Sequence, residues 1–95
     1  MCVKAFLLSW RVADDLSRRF ALKVADLLRL ERSRKGISMR RLAEKSGLSQ
    51  PTISYIERGL RIPSLETTHR IASALGVNLS ALIQKARDFT ARKYR

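Results

Sequence analysis

Ninety-five residues make one small domain, and 45% apolar content is enough for a modest helical core without disulfide or metal support. Twenty Lys and Arg against eight Asp and Glu give a formal charge of +12, which disfavours a neutral-substrate enzyme and points to a polyanionic partner, nucleic acid first. The single cysteine, Cys2, and the single histidine, His69, exclude an intrachain disulfide and any zinc-ligand or Cys/His nucleophile set, so no catalytic residue, metal or cofactor is expected. The apolar run Ala5 to Trp10 is too short to span a bilayer and no small-residue cleavage pattern follows it, so the expected setting is the cytoplasm, away from membranes.

Residues 1–13 form an N-terminal extension in which Phe6, Leu8, Trp10 and Val12 alternate as one face of a strand would. A lone strand must pair with something, so two copies of the chain can form a ribbon here, or these residues can pack across a subunit interface; the alternative is a frayed or folded-back segment of helix one. From Asp14 to Lys35, Leu16, Phe20, Val24, Leu27 and Leu28 recur at steps of three and four, which predicts a long first helix. Asp14 or Asp15 can cap its start, and Gly36 ends it behind the cations Arg32, Arg34 and Lys35. Ser38 caps a second helix of about two turns that stops at Gly47; Ser49 caps a third, with Pro51 in its first turn, that runs to about Arg58 before Gly59. Leu60 to Pro63 is a connector, because the residue before a proline is pushed out of the helical region. Ser64 then caps a fourth helix built on Leu65, Ile71, Ala72 and Leu75, and Asn78 a fifth built on Leu79, Leu82 and Ile83. The chain reads as all-α: an extension (1–13), a five-helix domain (14–84) with its key motif at about 39–59, and a basic tail (85–95) that is either a helix extension or a disordered arm.

The second and third helices have helix-turn-helix spacing. Ala43 is small where two helices cross closely, Gly47 accepts the positive φ that bends the chain, and Ile53 and Ile56 pack the third helix onto the core. Subtracting those inward positions leaves Gln50, Pro51, Thr52, Ser54, Tyr55 and Arg58 at or near the open face of helix three as candidate base readers. Glutamine can pair with adenine N6 and N7. Pro51 and Thr52 can touch a thymine methyl, and Tyr55 can contact a base, bond a phosphate or pack beside Ile56. The hydroxyls of Ser38 and Ser49, with the N–H groups behind them, are candidate phosphate contacts, joined by Arg40 and Arg41.

The stretch Leu42 to Gly59, with its Ile-x-x-Glu-Arg-Gly ending, and the later Ile62-Pro63-Ser64-Leu65 and Ile71 to Val77 resemble the Cro and lambda-repressor type of helix-turn-helix proteins, the XRE family. The resemblance spans about Leu27 to Ile83. It implies a five-helix domain whose third helix enters the major groove of double-stranded DNA, in a homodimer that reads a palindromic operator and touches its twin around Val77 to Ile83. It also implies a base-reading role for Gln50, backbone tracking by Arg61, and a structural salt bridge between Arg32 and Glu57. Two departures stand out. Arg40 and Arg41 occupy a first turn that is usually acidic, which raises the local positive potential. Met39 replaces a hydrogen-bonding residue, which leaves only its backbone to meet a phosphate. The function expected is a DNA-binding transcriptional regulator, most simply a repressor or autoregulator. The rival is an antitoxin that neutralises a protein toxin and controls its own operon, and a restriction-modification controller is a third form of DNA binder.

Overall fold

A computed structural model describes the backbone of residues 3–93 and the side chains of residues 15–91. Cys2 and the last two residues of the tail, Tyr94 and Arg95, lie outside the described residues. Five helices follow in order, with no strand among the described residues: α1 (Val3–Arg34), α2 (Met39–Ser46), α3 (Gln50–Glu57), α4 (Leu65–Leu75) and α5 (Leu79–Lys93). None is long and apolar enough to cross a membrane.

The segment expected as a strand or separate arm is instead the first part of α1, which runs unbroken for 32 residues, about 48 Å at 1.5 Å per residue. No glycine or proline occurs before Gly36, so nothing in the chain interrupts a helix there, and short-range alternation over four positions is a weaker signal than that continuity. Asp14 and Asp15 therefore fall inside α1 rather than at its start; Asp15 accepts from Arg19 Nε at 3.0 Å, one turn on. At the other end Ile37 N–H bonds to Arg32 O at 3.1 Å and Gly36 N–H to Ser33 O at 3.0 Å, a Schellman closure. The basic tail continues α5 as helix to Lys93.

The core joins all five helices. Val24, Ala25 and Leu28 from α1 meet Leu42, Ile53 and Ile56 from the motif, and Ile71, Leu75, Leu82 and Ala86 close the layer from α4 and α5. α1 lies along α5 and also touches α3 and α4, while α2 is held between α3 and α4. The caps form as read: Ser38, Ser49 and Ser64 accept from the N–H three residues on, at 3.0, 3.2 and 3.1 Å, and Asn78 Oδ1 accepts from Ala81 N–H at 3.1 Å. Of the apolar residues named for α4, Leu65, its first residue, is 76% exposed, while Ile71, Ala72 and Leu75 are buried.

Candidate nucleic-acid interface

The turn between α2 and α3 is built around Gly47, at φ 74° and ψ 16°, a left-handed conformation that costs a residue with a Cβ about 1–2 kcal/mol. Its N–H bonds back to Ala43 O at 3.0 Å. Ser46, buried beside it, donates its hydroxyl to Ala43 O at 3.4 Å and accepts from Leu48 N–H at 3.3 Å, so the turn has its own polar stitch. That role is local and went unread in the sequence, where a serine ahead of a glycine stop looks like ordinary surface.

The corner delivers α3 with one face anchored. Ile53 is wholly enclosed and Ile56 nearly so. With 100° between successive residues, the opposite stripe is Pro51, Tyr55 and Arg58, flanked by Ser54 and Gln50. Gln50, Pro51, Tyr55 and Arg58 are exposed, whereas Thr52 and Ser54 are half-buried. Tyr55 keeps 47% of its surface open, so packing beside Ile56 does not consume the ring. Thr52 is turned to other work: its hydroxyl meets Ser49 Oγ at 2.7 Å while its N–H is capped by the same oxygen.

The end of α3 is tied to α1. Arg32 donates from Nε and Nη2 to the two oxygens of Glu57, at 2.6 and 3.0 Å, a fork-to-carboxylate pair. Its third arm, Nη1, reaches Ile37 O at 2.7 Å. The side chains are 16% and 7% exposed, and the hydrogen bond to Glu57 holds the Arg32 guanidinium above its ordinary pKa. The pair fixes α3 against the α1–α2 turn.

Among the expected phosphate contacts, Ser38, Ser49 and Arg61 are exposed. Arg61 lines a notch of about 350 Å³ with Thr52, Ile62, Ser64 and Thr67, where the α3–α4 connector meets the start of α4. Arg40 and Arg41 are not free cations: both converge on Glu44, at 3.6 Å to one carboxylate oxygen and 3.4 Å to the other. Glu44 thus halves the charge those arginines present. Its spacing of four and three residues was the signal, legible in the sequence but passed over. Met39 packs against the core.

With this geometry set out, comparison with known proteins is decisive on family. A family model described as helix-turn-helix matches residues 28–82, more than half the chain. The chain belongs to the helix-turn-helix family. It is the Cro and lambda-repressor type that the Leu42–Gly59 stretch resembles. An uncharacterized HTH-type transcriptional regulator of Mycobacterium tuberculosis is 46% identical over 59 residues, which cover 62% of this chain and 42% of that protein. The chain thus spans about two-fifths of that relative's length. Among solved structures, the clp gene regulator ClgR of Corynebacterium glutamicum superposes with a TM-score of 0.69 at 29% identity, covering 79% of this chain and 80% of that one. The restriction-modification controller protein C.AhdI of Aeromonas hydrophila gives 0.60 at 35% identity, covering 65% of this chain and 94% of that one. Residues 3–27 of α1 precede the segment the family model matches, and Val24 and Ala25 among them belong to the core.

Proposed function

We propose that this helix-turn-helix chain is the DNA-reading part of a transcriptional regulator, and that it binds double-stranded DNA by sequence rather than catalysing a reaction. The observation that carries this is the two-sided α3: an anchored back of Ile53 and Ile56, an end clamped by Arg32, and an open front of Pro51, Tyr55 and Arg58 flanked by Gln50. A helix presented this way can enter a major groove without repacking the domain. Two copies on a palindromic operator would place two such helices about one DNA turn apart, the arrangement of a repressor or autoregulator in the cytoplasm. The names of the relatives, regulators of transcription, support that reading.

The test compares the purified protein on its own upstream DNA and on random duplex at two salt concentrations, with Gln50→Ala beside the wild type. A preference of about a thousandfold that the variant loses, with affinity falling steeply as salt rises, is the expected result. Equal affinity for both duplexes, unchanged in Gln50→Ala, overturns it. In that case the apolar start of α1, ahead of the family match, favours the second reading, an antitoxin-like protein whose partner is a toxin, checked by co-purification of a small second protein.

A further inference from the structure

On the surface where α1 ends and α5 begins lies a groove of about 440 Å³, apart from the α3 face. Its floor is apolar: Leu27, Leu30, Val77, Ala81 and Leu82. Leu30 is 45% exposed, unusual for a leucine this close to the core. Its rim carries three cations, Arg34, Lys35 and Lys85, and one carboxylate, Glu31. Arg34 Nη2 donates to Glu31 at 2.6 Å, while Lys35 and Lys85 have no ion pair among the described residues. All three cations nonetheless act on the same spot: the Glu31 carboxyl is held below its ordinary range first by the Arg34 hydrogen bond, then by the charges of Arg34, Lys35 and Lys85. Arg34 and Lys35 also suit the negative end of the α1 dipole, but Lys85, within α5, has no such reason to be there.

We propose that this groove docks an acidic amphipathic segment of a protein partner, apolar side chains against Leu30 and Val77 and carboxylates against Lys35, Lys85 and Arg34. Charge and shape together select this occupant. A DNA backbone would satisfy the cations but leave the leucine floor uncovered, and a purely apolar partner would bury two unpaired ammonium groups at considerable cost. A second copy of the chain is a poorer match, since an isologous contact gathers six cations and only two carboxylates into one interface. Three cations, two of them without an ion pair among the described residues, also call for several carboxylates, which a peptide segment supplies and a single-headed small molecule does not. The mode is that of a helix laid in a groove, with anchors one turn apart. The stripe used, Asn78, Ala81 and Lys85, lies on a different side of α5 from Leu79 and Ile83, which pack against the core.

The proposal does not depend on DNA reading, and its peptide titration contains no DNA. A fluorescein-labelled fourteen-residue peptide, with leucines at helical spacing and Asp or Glu elsewhere, is titrated with the full chain and followed by anisotropy; its Asn/Gln counterpart is the control. The wild type should bind the acidic peptide at least tenfold more tightly than the neutral one, and Lys85→Glu and Leu30→Glu should each lose about tenfold. Arg58→Glu, the same charge change placed on α3, should lose little. Equal binding of the two peptides, or equal weakening by Arg58→Glu and Lys85→Glu, overturns the proposal. So does a Leu30→Glu variant that changes oligomeric state, which would make the groove a self-contact, or a Lys85→Glu variant that loses DNA affinity as heavily as Arg61→Ala, which would assign the cations to DNA. Thermal melting of each variant confirms that it is folded before its binding is counted.

Discussion

Replacing Glu57 by alanine leaves the Arg32 guanidinium with two donors, Nε and Nη2, aimed at empty space, while Nη1 retains the Ile37 carbonyl. Removing one member of a buried ion pair usually costs about 3–5 kcal/mol, because the remaining charge is desolvated without compensation. Arg32 keeps 16% of its surface in water, so the lower end applies and we expect about 3 kcal/mol. For a domain of this size each kcal/mol is worth roughly 4–8 °C, so the melting temperature should fall by at least about 12 °C. Urea denaturation of the wild type, Arg32→Ala, Glu57→Ala and the double variant closes a cycle in which the pair should show a coupling of about 2–3 kcal/mol. The double variant orphans neither charge and should be more stable than the two losses added together. Operator affinity should drop in Glu57→Ala as the end of α3 loosens. A loss under about 1 kcal/mol, or strictly additive variants, would place the pair in the range of exposed salt bridges and refute its role as a clamp.

Three further outcomes follow from the same geometry. Ser49→Ala should lower stability by about 1 kcal/mol because the Thr52 N–H loses its acceptor, while Ser49→Gly should cost only a few tenths; equal costs in urea melts would discount the cap. Gly47→Ala should cost about 1–2 kcal/mol through its positive φ, and since the new Cβ lies 3.3 Å from only the tip of Arg70, adding Arg70→Ala should recover almost nothing. Glu31, whose carboxyl is held below the ordinary glutamate value by Arg34, contributes stability that is fully present above that ordinary value and lost as pH falls through the lower, folded one; Glu31→Gln should therefore show a shallower acid limb, and parallel limbs would rule the contribution out.

The motif was legible because each of its parts follows a local rule: a hydroxyl before each helix, a glycine where φ is positive, and isoleucines three apart on one face. Those rules act over three or four residues and are read directly from the chain. The start of α1 was misread for the converse reason. Alternation of Phe6, Leu8, Trp10 and Val12 is a local pattern, but the conformation there belongs to a helix that nothing interrupts for 32 residues. Leu65 shares the apolar pattern of α4 but not its burial, because a residue at the first position of a helix can sit ahead of the packed face. The resemblance to a family brought Arg32 and Glu57 together across 25 residues of sequence; no local rule would have done so. The groove beside Leu30 was out of reach altogether, because its two walls come from opposite ends of the domain.

Arg32 also bears on the thermodynamics of association. One guanidinium holds the last carboxylate of α3 and the carbonyl of Ile37, the residue before the Ser38 cap of α2, so the two helices that begin with candidate phosphate-binding hydroxyls are referenced to a single atom group on α1. Their relative placement is settled when the domain folds. Docking onto a duplex then has little backbone left to freeze, and the unfavourable entropy of binding should come mainly from the long exposed side chains and from any bending of the DNA rather than from ordering the reader.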